Sequence, residues 1–356
     1  MRRGHWPLLA LLAALVALLA ACGAAESVAE GGTEAAARGA TEPLTLRLGY
    51  FPNITHAPAL VGLEEGIFAE ALGEDVTLEP VGFNAGPQVV EAMFAEALDI
   101  SYIGPNPAIN AFAQSQGEAI RIISGSTSGG AYLVTKPGIT SAEDLRGARI
   151  ATPQLGNTQD VALRAWLSEH GLTADTEGGG DVAILPQENS QTLETFQTGD
   201  IDGAWVPEPW ATRLIQEGGA QVLVDERELW DDGRYVTTHV IVRTAFLDQY
   251  PEVVRDFLAG HVQALAAIEE DAEGARAATN AGIEAVTGKP LAEELIATAW
   301  ENLEFTADPV AASLEGGAQD AVTAGLLEPV ELDGIYDLEL LNAVLEENGK
   351  EPVEGL

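Results

Sequence analysis

The chain has 356 residues, enough for two lobes rather than one core. Hydrophobic residues make up 46% and charged residues 21%, the balance of a folded protein, and a formal net charge of −39 leaves no basic face for nucleic acid. An acidic shell of this strength aids solubility and fits a salty habitat, and does not by itself make a metal site.

Arg2 and Arg3 precede an apolar run over 8–20. The run is too short to span a bilayer comfortably and has the form of a signal peptide. It ends Leu19-Ala20-Ala21-Cys22, which resembles a bacterial lipobox, and Cys22 is the only cysteine, so no intrachain disulfide can form. The expectation is a signal peptide over 1–21, a lipid on Cys22, and an Ala-, Gly- and Glu-rich tether over 22–43. The protein is then anchored to the outer face of the cytoplasmic membrane without spanning it. The alternative is a cleaved signal with a chance cysteine.

The folded part opens on a strand, a polar turn and a helix. Leu44, Leu46 and Leu48 alternate with Thr45 and Arg47, the period of a half-buried strand. Pro52 and Asn53 end it, Thr55 or His56 stands at the N-cap of a helix, and Pro58 fits its first turn. A second strand follows from Val76, a helix over 88–97, a strand from Leu98 to Ile103, a helix over 108–116, and a strand from Arg121 to Gly125. The last runs into a turn from Ser126 to Gly130, and Ala131 to Thr135 continues as a strand. The plan then repeats, with strands at 149–151, 182–185 and 201–206 and helices opening near Asn157 and Asn189. Leu98 to Asn106 aligns with Ile201 to Pro209, setting Asp99 on Asp202 and Tyr102 on Trp205, an offset of 103 residues. A strand over 237–243 precedes amphipathic helices over 251–270, 273–286, 291–303, 309–324 and 338–347.

The turns at the carboxyl ends of the strands are where open α/β sheets place ligands. They offer Tyr50, Asn53, His56, Asn84, Asn106, Ser126, Thr127, Ser128, Gly129, Asn157, Thr158 and Gln159, with Trp205, Glu208 and Trp210 closing the set. These are hydroxyls, amides, a histidine and aromatics, with no arginine or lysine. Neutral donors and helix N-termini suit a small anion that stays ionised, and the aromatics suit an organic group. Each has a plainer role available: His56 as a helix cap, 126–130 as an ordinary turn, Trp205 and Trp210 as core, Glu208 as a solvated acid that would otherwise meet an ammonium group. No metal cluster, nucleophile motif or phosphate loop is present in the sequence, so neither a metal, a cofactor nor catalysis is expected.

The stretches GYFPNITHAPALVGLEEGIF, VVEAMFAEALDISYIGPNPAINAF and DIDGAWVPEPWATRL resemble the aliphatic sulfonate, taurine and nitrate group of ABC-transporter substrate-binding proteins. The resemblance implies a type II periplasmic-binding-protein fold, with two α/β lobes joined by two crossover strands near 131–136 and 237–243. Lobe 1 would comprise 44–131 with 239–356, and lobe 2 residues 132–238. It further implies a monomer that passes a small organic anion to the permease and ATPase of an importer. An aliphatic sulfonate or taurine fits the turns best. Nitrate, bicarbonate and a thiamine-precursor pyrimidine are the alternatives, and an enzyme on the same fold is a more distant one.

Overall fold

The computed structural model describes residues 44–356, so the signal peptide, Cys22 and the tether lie outside the described residues. Two sheets organise the chain. The first is built from β1 (Leu44–Tyr50), β2 (Val76–Gly82), β3 (Ile100–Ile103), β4 (Ile120–Gly129), β10 (Val236–Arg243) and β11 (Leu303–Phe305), in the order β11-β4-β10-β3-β1-β2. The second is built from β5 (Ala131–Thr135), β6 (Arg149–Thr152), β7 (Ala183–Pro186), β8 (Gly203–Pro207) and β9 (Gln221–Asp225), in the order β7-β6-β8-β5-β9. β1, β2 and β3 are parallel in the first sheet and β6, β7 and β8 in the second, and in each an antiparallel strand is inserted beside the last of the three. That strand is β10 in the first sheet and β5 in the second, so the chain crosses between the lobes twice.

Helices cover both faces of each sheet, as parallel strands require. α1 (Ala57–Glu64), α2 (Ile67–Leu72), α3 (Gly86–Phe94) and α4 (Pro105–Gln114) belong to the first lobe, and α5 (Thr158–Glu169), α6 (Asn189–Thr198) and α7 (Trp210–Gln216) to the second. α8 (Thr244–Gln249), α9 (Pro251–Glu270), α10 (Ala272–Thr287), α11 (Glu293–Trp300), α12 (Ala311–Thr323) and α13 (Glu339–Glu347) complete the chain. The second sheet shows why its strands are almost wholly apolar. Leu133, Ile150 and Trp205 join the core on one face, while Val134, Ala151 and Val206 join the core on the other. The opening helix is shorter than its apolar pattern, because Gly66 adopts φ +72° and splits α2 from α1. β4 is longer than expected and takes in Ser126 to Gly129, because this stretch pairs with both β10 and β11.

The 103-residue offset has a physical counterpart. Asp99, just before β3, accepts from the backbone N–H of Arg47 at 3.0 Å and from its guanidinium at 2.6 and 2.8 Å, and from Arg243 at 2.9 Å. Asp202, just before β8, accepts from the backbone N–H of Arg149 at 3.0 Å, from its guanidinium at 3.2 Å, and from Lys136 at 2.9 Å. Asp99 ties β1 to β3 and to the crossover strand β10, and Asp202 ties β6 to β8 and to the end of the crossover strand β5. Burial pushes the Asp99 carboxyl up, and the bonds from Arg47 and Arg243 more than reverse this, leaving it below the usual range. The same opposition brings Asp202 down to about 2.

Because both carboxyls ionise more readily folded than unfolded, their contribution is complete above the ordinary carboxylate value and is lost as pH falls, for Asp202 toward about 2. Asp99→Asn should cost about 3 kcal/mol at neutral pH, since it leaves two cations facing a neutral buried group. Asp202→Asn, at a more exposed clamp, should cost less. Both variants should lose less stability than the parent between pH 5 and 2. Urea unfolding followed by tryptophan fluorescence reads both effects, and equal costs at the two clamps would refute the ranking.

Candidate functional site

The carboxyl ends of the parallel strands in both sheets face a cavity of about 30 Å³ between the lobes. Asn53, Thr55 and His56 line it from the first lobe, Thr237 and Thr238 from the crossover at the start of β10, and Asn157, Thr158, Gln159 and Asn189 from the second lobe. No charged side chain lines it among the described residues. His56, Gly104 and Asn157 are the N-caps of α1, α4 and α5, and Asn189 is the first residue of α6. Four helices thus direct the positive ends of their dipoles at one small space.

The polar atoms here are incompletely satisfied. Asn53 Oδ1, Thr158 Oγ1 and Asn189 Oδ1 are buried without a hydrogen-bond partner. Such groups are costly to leave alone and cluster where a ligand is meant to complete them. His56 is buried and stacks on Phe51 with ring centroids 4.2 Å apart, and its Nδ1 accepts from the Phe51 N–H at 3.3 Å. This fixes the tautomer: Nε2 carries the proton. Burial lowers the His56 pKa to about 3, so the ring is a neutral donor. The other described histidines are spent elsewhere. His239 and His261 engage the carbonyls of Pro309 and Gly125 through Nε2, and His170 engages that of Trp166 through Nδ1.

The cavity opens into a groove of about 500 Å³, and the two share Phe51, Asn53, Asn84 and Asn189. The groove is lined by Trp210 from α7, Ile283 from α10, Leu295 from α11 and Leu291 from the segment between α10 and α11. Arg213 lies 4.9 Å from the Trp210 ring centroid and pairs with Glu217 at 2.9 Å. Lys289 also lines the groove. Cations therefore reach the outer groove, though not the cavity. Asn84 Nδ2 donates to Glu188 across the lobes at 3.3 Å, and the Gly86 N–H donates to Asn157 Oδ1 at 3.4 Å. A separate hollow of about 480 Å³ between α9, β11 and α13 touches none of these turns.

The structure gathers Asn53, His56, Asn84, Asn157, Thr158 and Gln159 at the cavity and Trp210 at the groove. It places the other expected residues elsewhere. Tyr50 is buried in the core of the first lobe. Asn106 donates to the Gly317 carbonyl at 2.8 Å, joining α4 to α12. Ser126, Thr127, Ser128 and Gly129 lie within β4 rather than in a turn, and Thr127 Oγ1 donates to the Thr55 carbonyl at 2.7 Å. Trp205 is core, its Nε1 donating to Glu226 at 2.7 Å. Glu208 is not a solvated acid: it is 1% exposed and accepts from the Thr212 N–H and hydroxyl and from Asn302. Thr55, Thr237, Thr238 and Asn189 were not foreseen. The repeat held a signal for Asn189, because the 103-residue offset carries Gly86 onto it.

The order of the two sheets, with one inserted antiparallel strand in each, defines a type II periplasmic-binding-protein fold. Residues 39–282 match the NMT1-like family, and the chain belongs to it. The taurine-binding periplasmic protein of Escherichia coli K12 is 29% identical over 207 residues, covering 58% of this chain. The match covers 62% of that protein, so less than two thirds of its length is represented. Among solved structures, the alkanesulfonate-binding protein SsuA of Xanthomonas axonopodis pv. citri, bound to MOPS, superposes with a TM-score of 0.65 at 20% identity, covering 82% of this chain and 96% of its own. The periplasmic nitrate-binding protein NrtA of Synechocystis PCC 6803 superposes with a TM-score of 0.69 at 15% identity, covering 86% and 89%. At these identities the superpositions establish the fold alone.

Burial raises the Glu208 carboxyl to about 7, and the bonds from Thr212 and Asn302 only partly oppose this. The folded chain therefore holds that proton more tightly than the unfolded one. The stability this gives is present below about 4.5 and lost as pH rises through about 7. The melting temperature of Glu208→Gln relative to the parent should rise steadily from pH 5 to pH 8. A constant difference across that range would show that Glu208 does not titrate there.

Proposed function

We propose that this protein is an extracytoplasmic solute-binding lipoprotein that captures a small organic anion, an aliphatic sulfonate or taurine, for an ABC importer. The observation that carries the reading is the pairing of an uncharged cavity, built from hydroxyls, amides and helix N-termini, with a larger, half-apolar groove. An oxyanion head would accept from the Thr158 hydroxyl, from the His56 Nε2–H, and from the amides of Asn53 and Asn189 turned to present Nδ2, and an organic tail would lie along Trp210, Leu291 and Leu295. Neutral donors suffice where the closed lobes exclude water and the anion stays ionised. Asn and Thr side chains can present hydrogens to such a head, since amide and hydroxyl orientations follow the ligand. Nitrate or bicarbonate would fill the cavity and leave the groove without a role. The names of the Escherichia coli and Xanthomonas proteins support the same class. We further propose that residues 44–131 with 239–356 and residues 132–238 are the two closing lobes, and that the protein acts as a monomer with a permease and ATPase.

A thermal-shift screen of ethanesulfonate, taurine, nitrate, bicarbonate and aminopyrimidines tests the ligand class, a ligand at 100 times its dissociation constant adding about 2.7 kcal/mol. Thr158→Val should weaken the best sulfonate by roughly ten- to a hundredfold, the loss of about 1.5–3 kcal/mol expected for a hydrogen bond to a charged group. Ser126→Ala should leave affinity unchanged, because Ser126 does not line the cavity. Stabilisation by nitrate alone, or full affinity in Thr158→Val, would overturn the reading.

Anchoring through Cys22 is a separate proposal. No helix among the described residues is long and apolar enough to cross a membrane. Cys22→Ser should release the protein into the medium or leave an unprocessed precursor. A variant that stays membrane-bound and fully processed would exclude the lipid anchor.

A further inference from the structure

A second, smaller cavity of about 20 Å³ lies at the lobe interface and shares Thr158 with the first. Asn106 and Asp320 line it from the first lobe, and Thr158 and Glu226 from the second. Glu226 is 2% exposed and follows β9, with one oxygen accepting from Trp205 Nε1. Asp320 stands on α12, which packs on α5 across the interface. No arginine, lysine or histidine lines the cavity, and no ion pair reaches either carboxyl among the described residues.

The charges on the packed elements do not supply a counter-ion. α4 carries none. On α5, Arg164 is held by Asp160, and Glu169 adds negative charge beside Asp320, while His170 after it is bonded to Trp166. Around Glu226, Arg227 is held by Asp225, whose charge acts on Glu226 in the same sense as that of Asp320. Arg234 is engaged by Glu304 and Asp308, and Tyr235 is buried and neutral. On β10, which also packs on α12, burial keeps His239 neutral and Arg243 is held by Asp99, while Glu228, Asp231, Asp232 and Glu315 are acidic.

We propose that closing of the lobes takes up a proton: Glu226 and Asp320 come from opposite lobes to one small cavity without a cation, so the closed form holds a proton there that the open form releases to solvent. This rests on the reading that the lobes close over a ligand. With the lobes apart, water enters the cavity and both carboxyls ionise in the ordinary range. With the lobes together, burial raises Glu226 to about 7, helped by the charge of Asp320, and burial raises Asp320 to about 6. By linkage, the closed-to-open ratio falls about tenfold between pH 6 and pH 8. A ligand held by the closed form follows the same slope, being bound more tightly in acid and released more readily in alkali.

Single-molecule energy transfer on the ligand-free full chain reads the ratio directly. The protein carries Cys22→Ser, with dyes on Glu74→Cys in the first lobe and Glu194→Cys in the second, both exposed positions. With Glu208→Gln present throughout, because that carboxyl also accepts across the lobes from Asn302, the closed-to-open ratio should fall about tenfold from pH 6 to pH 8 and change by less than about twofold once Glu226→Gln and Asp320→Asn are added. Asp320→Asn alone, on a half-buried helix face, should reduce the fall and serves if Glu226→Gln disturbs Trp205. A ratio insensitive to pH, or the same fall in the double variant, would overturn the proposal. Titration with ethanesulfonate at pH 6 and pH 8 separates the two readings. No binding at either pH, with the pH-dependent ratio intact, would refute the sulfonate reading and leave the proton-linked closure standing.

Discussion

The buried carboxylate of Asp99, gripped by Arg47 and Arg243, is the contact on which the first lobe depends, and Asp202 with Arg149 and Lys136 repeats it in the second. Each clamp sits where β3 or β8 begins and holds three neighbouring strands together. A carboxylate buried with two cations is costly to break, because each partner would be left unpaired. The clamps lie at the amino ends of the parallel strands. The carboxyl ends are thereby relieved of structural duty, and their turns can be made of asparagine, threonine and histidine rather than of residues chosen for packing.

On the proposed function, a protein with a formal charge of −39 would have to hold an anion against its own field, and the geometry of the cavity meets that demand locally. The field of distant acids is screened by salt within about 10 Å, whereas the ends of four helices and several hydroxyls act at contact distance. An arginine in the cavity would bind more strongly but less selectively. Arg213 is kept in the outer groove, against Trp210 and under the charge of Glu217.

Much of this was legible in the residues. The Asp99/Asp202 offset disclosed the duplicated plan, and the polar turns at 53–56 and 157–159 disclosed both walls of the cavity. What stayed hidden depended on partners far away in sequence. Ser126 to Gly129 has the composition of a turn, and only pairing with β10 and β11 draws it into a strand. Trp205 and Glu208 look like ligand contacts until Glu226 and Asn302 are found beside them. Thr237 and Thr238 read as plain strand residues, because nothing local says that β10 would be threaded between β3 and β4 with its start at the cleft.

That threading sets an order on folding. β4 and β5 are separated by Gly130 alone, at φ +75°, where a Cβ would collide with Leu303. The whole of the second lobe is thus inserted between two strands that are neighbours in the first sheet, β4 and β10. As the chain is made, β3 can pair with β1, but β4 must wait for β10 more than a hundred residues downstream, while β5 to β9 have every pairing they need within one continuous stretch. Pairings of such long separation close slowly, because the entropy of the intervening loop is lost before the contact forms. The second lobe is the unit able to assemble first, and its completed fold brings β10 back to the open seam of the first.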